Sequence, residues 1–186
     1  GLVLGSETGS TVSSRGVYKF PAERRFSKSD PDHQSNAYEL DACTWSNCPD
    51  IDFSMQDDYP WAIGQFVWTG FDYLGEPTPY DNDAWPNHSS MFGIIDLASI
   101  PKDRFYLFRS QWNTEDATLH ILPHWNWKGH EGEEIPVHVF TSWPSAELFL
   151  DGVSQGVRHK VADAPKSKGT RTEDVLGRYR LMWDVK

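Results

Sequence analysis

The stretch Gly64-Gln-Phe-Val-Trp-Thr-Gly-Phe-Asp-Tyr-Leu-Gly-Glu-Pro-Thr-Pro-Tyr80 runs from an apolar strand into an aromatic and acidic loop. Phe66, Val67 and Trp68 favour a pleated, packed backbone. The loop that follows contains two prolines and two acidic residues, which cannot continue a core strand. A buried strand whose carboxyl end opens into Trp, Asp, Tyr and Glu is typical of a (β/α)8 barrel, which builds its pocket at that end. Because an aromatic face beside carboxylates suits a sugar ring, the stretch points to carbohydrate chemistry.

Composition and charge argue against other classes of protein. The 186 residues carry a formal net charge of −10, whereas nucleic-acid binding needs Lys and Arg to neutralise phosphates. No run of about 18 apolar residues is present, so the sequence predicts no membrane span. The nine tryptophans are unusual, and they indicate a pocket wall, a domain interface or both.

The region before residues 64–80 has little periodicity in its apolar residues. Residues 1–6 read as a short buried strand that ends at Glu7. Residues 27–58 are rich in Ser, Asp, Asn and Pro, which predicts a long excursion with at most a helical turn at 37–40 and a short helix before Trp61.

The region after it divides into a helix and a set of strands. Residues 105–112 place three aromatic side chains on one helical stripe after Pro101, and they predict a helix. Residues 135–141 and 179–185 read as strands, and residues 147–156 form a strong hairpin signal around Asp-Gly.

Cys43 and Cys48 are the only cysteines in the sequence. Their spacing is compatible with a small disulfide loop in an exported protein, and equally with two thiols. No histidine accompanies them at metal-ligand spacing, so we expect no metal site and no cofactor.

Four blocks in order resemble family 2 glycoside hydrolases, the group of β-galactosidases and β-glucuronidases, and especially the branch typical of Bacteroides-like bacteria. They are Gly5-Ser6-Glu7-Thr8-Gly9-Ser10, residues 64–80, residues 85–104 and residues 120–156. The resemblance covers most of the chain and implies a fold of the α/β plus all-β class. Residues 1–117 would be the C-terminal portion of a (β/α)8 TIM-barrel catalytic domain. Residues 118–186 would be the start of an incomplete Ig-like β-sandwich, within a much longer enzyme.

The resemblance also implies a catalytic residue. Retaining glycosidases use two carboxylates about 5–5.5 Å apart, one as nucleophile and one as acid/base. The family's nucleophile falls on Glu7, which ends an apolar strand and is followed by small residues. Without the resemblance, a glutamate that caps a strand or forms an ion pair would be the ordinary interpretation. The family's acid/base glutamate follows an asparagine, and since this sequence contains no Asn-Glu pair, we expect that residue upstream.

Four further residues are predicted to bind substrate: Trp68 as part of the sugar platform, Asp72, Trp85 and His88. A core tryptophan and a loop-capping aspartate are the alternatives for the first two. Trp125 and Trp127 would either dock the second domain or bind sugar.

The three residues before Gly93 bear on the substrate. In β-glucuronidases an Asn-x-Lys precedes the corresponding glycine, and its lysine pairs with the sugar's carboxylate. This chain has Ser90-Met91-Phe92, so a neutral sugar fits better. In some β-galactosidases an asparagine at the position of Phe92 helps to bind sodium, and the phenylalanine here argues against such a site.

The predicted function is therefore that of an exo-β-galactosidase acting on β-galactosides, inactive as an isolated fragment. A β-glucuronidase or β-mannosidase of the same family, or a non-catalytic carbohydrate-binding or structural fragment, remains the alternative. The expected partners are a carbohydrate substrate, the remainder of the parent enzyme and, as a possibility, a second copy. A periplasmic or extracellular bacterial location is implied by the family only.

Overall fold

The computed structural model describes residues 1–26, 30–76, 89–161 and 173–186. It is a mixed, strand-rich fold with few helices. Along the chain the described elements are β1 (Val3–Gly9), β2 (Arg25–Phe26), β3 (Asp41–Ala42), α1 (Pro49–Asp58), β4 (Ala62–Trp68), α2 (Asp103–Trp112), β5 (Leu119–Leu122), β6 (Ile135–Thr141), β7 (Ser145–Leu150), β8 (Val153–His159), α3 (Glu173–Tyr179) and β9 (Leu181–Val185).

The first half is organised around a parallel pair of strands. β1 pairs with β4, and α1 lies between them in the chain, as a parallel connection requires. α1 begins with Pro49 at its first turn and carries Asp50 and Asp52 there, which suits a helix N-terminus. The short helix predicted before Trp61 is confirmed, and with ten residues it takes up the end of the stretch 27–58 that was otherwise expected to be irregular. Only Ile51 and Phe53 mark its buried apolar side, so its periodicity in the sequence is weak.

The two faces of the β1–β4 pair differ sharply. Gln65 and Val67 face α1 and the core, whereas Phe66 is 64% exposed and Trp68 is 38% exposed on the other face. The prediction of a strand at 64–68 is confirmed, but the expected burial is wrong for one face. The expected burial of residues 1–6 is wrong as well, since Leu4 is 50% exposed. Among the described residues, this side of the pair is largely exposed.

α2 begins two residues before the predicted helix and ends with it at Trp112. Its buried positions include Leu107 and Phe108, whereas Trp112 is largely exposed. The helix is confirmed. Its buried side differs from the predicted stripe, because the core contacts the helix through residues about one turn before Trp112.

The second half consists of antiparallel strands. β6 lies between β5 and β9, and β7 pairs with β8 in the predicted hairpin. Asp151 and Gly152 have φ values of 49° and 80°, the left-handed conformation that a tight hairpin turn needs. Apolar side chains of β7 pack against the buried cluster formed by β6 and β9. The strand predicted from 179 begins at Leu181, because α3 continues through Tyr179.

The two halves share one core. Ile51, Phe53 and Leu107 belong to the same buried cluster as Phe140 and Val175. The boundary predicted near residue 118 falls between α2 and β5, where the packing is continuous.

A fully buried ion pair also joins the halves. Arg180 Nε donates to Asp50 Oδ1 at 2.9 Å, Arg180 Nη2 donates to Asp50 Oδ2, and Arg180 Nη1 donates to the carbonyl of Tyr38 at 2.7 Å. A charge pair buried this completely needs such additional hydrogen bonds to compensate for its lost hydration.

Cys43 and Cys48 are buried thiols that no disulfide joins. Cys48 Sγ donates a hydrogen bond to the carbonyl of Leu40 at 3.4 Å. Trp127 packs on Phe20 and His124, with ring centroids 4.9 and 4.7 Å apart, so it docks the second half on the first. Among the helices in the described ranges, none combines the length and apolar character needed to cross a bilayer.

Candidate active site

Glu7 lies on the exposed face of β1. Between Gly5 and Thr8, β1 contains one residue more than the paired segment of β4, which makes a bulge of the kind that redirects side chains at functional edges. Thr8 donates to Gln65 Oε1 at 2.6 Å, and Gln65 donates to Gln56 of α1, so Thr8 is on the helix side. Glu7 lies within this bulge, and its side chain is exposed, whereas the neighbouring Thr8 contacts the residues that face α1.

The Glu7 side chain is exposed, and within the described ranges no hydrogen bond or ion pair reaches its carboxylate. A cap or an ion pair, the ordinary interpretation of a strand-end glutamate, is therefore not formed with these residues. The carboxylate is accessible to a ligand on this face.

Trp68 lies at the carboxyl end of β4, on the exposed face of that strand. It is the register partner of Gly9, two residues beyond Glu7, and it follows Phe66 at the two-residue spacing of one strand face. Val67 between them packs on the core. The fold thus brings the predicted nucleophile and the predicted sugar platform together on neighbouring strand ends.

The loop after β4 supports the indole ring of Trp68. The indole Nε1 donates to the Tyr73 hydroxyl at 3.3 Å, and that hydroxyl in turn donates to the Glu76 carboxylate. Burial, reinforced by Glu76, raises the pKa of Tyr73 to about 12. Tyr73 therefore remains a hydrogen-bond donor at neutral pH. The Trp68–Thr69 peptide bond is cis.

The end of β1 is held by α1. Asp52 Oδ2 accepts the backbone N–H of Gly9 at 3.1 Å, two residues from Glu7. Burial is the main cause that raises the pKa of Asp52 to about 6, and the neighbouring charge of Asp50 raises it further, whereas the Gly9 hydrogen bond lowers it.

Asp72 is engaged with the protein. Its Oδ1 accepts the backbone N–H of Gly93 at 2.7 Å and the ammonium of Lys102 at 2.9 Å, and its Oδ2 lies 2.8 Å from the same ammonium. This geometry fits the loop-fixing alternative for Asp72. Trp85 and His88, the other two predicted binding residues, lie outside the described residues.

The segment 90–93 runs against the loop after β4 at very close range. Ser90 N donates to Tyr73 O at 2.9 Å, and Tyr73 N donates to Ser90 Oγ at 3.3 Å. A Cβ added to Gly93 would lie 2.0 Å from the backbone nitrogen of Asp72, so only glycine fits there. Phe92 is buried in a small core cluster with Val12.

Three supporting residues were not found by sequence reasoning: Asp52, Tyr73 and Lys102. Asp52 is 43 residues from Gly9, and Lys102 is 30 residues from Asp72. No local pattern connects positions so far apart; the Lys102 that follows Pro101 was interpreted only as part of a helix start.

Comparison with known proteins places this geometry in a class. Residues 132–186 match a domain of unknown function, DUF4982. The β-galactosidase BoGH2A of Bacteroides ovatus is 41% identical over 167 residues, which are 85% of this chain and 19% of that protein. A putative β-glucuronidase of Formosa agariphila is 43% identical over 105 residues, which are 56% of this chain and 10% of that protein. The crystal structure of a β-glycosidase from Bacteroides vulgatus has a TM-score of 0.75 at 27% identity, covering 98% of this chain and 24% of that one.

These relatives and structural neighbours are glycoside hydrolases. The chain is similar to members of glycoside hydrolase family 2, which confirms the resemblance. It spans between about a tenth and a fifth of the length of the curated relatives described above.

Proposed function

We propose that this chain supplies the nucleophile and part of the sugar-binding surface of a retaining β-galactosidase. The observation that carries the proposal is the exposed Glu7 carboxylate on β1, beside the strand that carries the partly exposed Trp68 ring. An aromatic face beside a carboxylate matches a sugar held by its apolar side, with its anomeric carbon toward the acid.

In the proposed enzyme, β1 and β4 are the last two strands of a TIM barrel and α2 is its final helix. Their parallel pairing and the exposed apolar side chains on one face support this assignment, since other barrel strands would cover that face. Residues from 118 onward would begin an Ig-like sandwich. The two facing sheets, β5-β6-β9 and β7-β8, support this assignment.

The chemistry proceeds in two displacements. Glu7 Oε attacks the anomeric carbon while the bond to the leaving oxygen breaks, and an acid outside this chain donates a proton to that oxygen. Water, deprotonated by the same group, then attacks the glycosyl–Glu7 ester, which releases the sugar with retained configuration and regenerates the carboxylate.

A neutral sugar is favoured over a glucuronide by the residues before Gly93. Ser90-Met91-Phe92 contains no cation, and Lys102, whose ammonium is 3.3 Å from Met91 O, is neutralised by Asp72 and only 1% exposed. That ammonium is therefore not open to a sugar carboxylate. The relatives called β-glucuronidases make glucuronide hydrolysis the second candidate.

The test is covalent trapping in the parent enzyme, the longer protein that we propose contains this chain. The enzyme is incubated with 2-fluoro-galactosyl or 2-fluoro-glucuronyl fluoride, whose leaving group departs without acid assistance, and the adduct is mapped by peptide mass spectrometry. We expect a single galactosyl adduct on Glu7 and at least a hundredfold slower labelling by the glucuronyl reagent.

A matched control separates catalysis from binding. Glu7→Gln keeps the size and polarity of the side chain, so it should abolish labelling while leaving galactose binding intact. Labelling at another carboxylate would reject Glu7 as nucleophile, and faster labelling by the glucuronyl reagent would reject the galactoside assignment.

A further inference from the structure

Lys102 is buried at the junction of three segments around the candidate site. It immediately precedes α2, and its backbone N–H donates to Ile94 O at 3.0 Å. Its side chain is only 1% exposed, so the ammonium is enclosed by protein. The residue is thus held at both its backbone and its side-chain end.

The ammonium has three acceptors, one in each segment. It donates to Ser13 O at 2.8 Å, to Asp72 Oδ1 at 2.9 Å and to Met91 O at 3.3 Å. A lysine ammonium has three N–H donors, so all three are used.

The three acceptors belong to the segments that continue from the candidate catalytic residues. Ser13 lies six positions after Glu7, and Asp72 lies four positions after Trp68. Met91 belongs to the segment that returns beside the loop after β4, and its carbonyl also accepts the N–H of Ser13 at 3.1 Å. Lys102 is therefore a buried residue that connects the segment after β1 to the segment after β4.

The charges around Lys102 make this connection depend on the contact with Asp72. Burial lowers the pKa of Lys102 and nearby Arg104 lowers it further, while Asp72 and Glu39 act in the opposite direction. Asp72 is the carboxylate in contact with this ammonium, and it favours the charged form. Loss of either partner would leave an uncompensated charge in the interior.

Resting on the proposed function, we propose that Lys102 is a positioning residue for glycoside cleavage, which sets the Glu7 carboxylate against the sugar platform at Trp68. It touches neither substrate nor the reacting atoms. It acts by fixing the two chain segments whose separation determines whether the carboxylate reaches the anomeric carbon, and misplacement by about 1 Å can slow such a reaction by about a hundredfold.

The test compares Lys102→Met with Lys160→Met in the parent enzyme. Lys160 is a partly buried lysine of the second half, where its ammonium donates to Thr141 O, remote from β1 and β4. Each variant is titrated with 2-fluoro-galactosyl fluoride, and two quantities are recorded: the fraction of protein labelled at Glu7 and the first-order labelling rate at saturating reagent.

A positioning role and a merely structural role move different quantities. Partial unfolding would lower the labelled fraction but leave the rate of the folded molecules unchanged. We expect Lys102→Met to label at least tenfold more slowly at saturation, with Lys160→Met within twofold of the wild type. An unchanged saturating rate in Lys102→Met would overturn the inference while leaving Glu7 as nucleophile.

Two further outcomes are distinguished. Wild-type enzyme that is not labelled at Glu7 rejects the proposed function, and the inference with it. Should Lys102→Met fail to fold, the double variant Asp72→Asn/Lys102→Met, which removes both charges, is measured in its place. The same tenfold slowing is expected, and a wild-type rate in that variant rejects the positioning role.

Discussion

Asp52→Asn should stabilise the β1–α1 unit in a pH-dependent way. The Asn side chain keeps an oxygen that accepts the Gly9 N–H but cannot ionise. Burial raises the pKa of Asp52 from its ordinary value of 3.8 to about 6, so between these values the folded state holds a proton that the unfolded state has lost. Stability therefore falls as pH rises from about 4 to about 6, and the loss is complete above pH 6.

The magnitude follows from the displaced pKa. A rise from 3.8 to about 6 corresponds to about 3 kcal/mol at pH 7 and to almost nothing at pH 3.5. Removing the ionisable group should recover this amount, because the Asn variant loses no charge partner that stabilised the ionised form.

Hydrogen exchange of the parent enzyme, followed by mass spectrometry on peptides from β1 and α1, measures this local stability directly. At pH 7 the variant should exchange about a hundredfold more slowly than the wild type, and at pH 3.5 the two should be equal. Asp151→Asn, the same change at an exposed turn position, is the control. Its exchange rate should equal that of the wild type at both pH values. If Asp52→Asn changed the exchange rate relative to the wild type by the same factor at both pH values, the reasoning would be refuted, since the effect could then not arise from the ionisation of Asp52.

Two other substitutions test the packing around the site. Gly93→Ala should lower the melting temperature severely or prevent soluble expression, because its Cβ would meet the Asp72 backbone at 2.0 Å, whereas Gly70→Ala, with open space around it, should fold normally. Arg180→Met should destabilise the fold by about 3–5 kcal/mol in urea unfolding because it leaves Asp50 buried and unpaired, and adding Asp50→Asn should recover part of that loss. A melting temperature for Gly93→Ala equal to that of Gly70→Ala, or a double variant less stable than Arg180→Met, would contradict these two accounts.

Much of the local structure could be predicted from the sequence because the responsible signals are local. The hairpin at Asp151-Gly152 needs only a two-residue turn with positive φ, and the strand at 64–68 needs only its β-favouring residues. α1 was underestimated for the converse reason, since its buried side is marked by two apolar residues and its stability comes from packing rather than from its own pattern.

The candidate site divides in the same way. Glu7 and Trp68 could be proposed from the resemblance, and the fold places them on two adjacent strands. The sequence does not decide whether Asp72 binds sugar or fixes the loop. Its partners in the structure, Gly93 and Lys102, favour the loop contact.

The sequence by itself determined the resemblance to the family and most of the strand and helix types, because each depends on short stretches of chain. Only the tertiary structure decided which buried charges meet. Lys102 is 30 residues from Asp72, and Arg180 is 130 residues from Asp50. Such pairs form where the packing of distant elements excludes water, and that exclusion depends on the whole fold rather than on any segment of the chain.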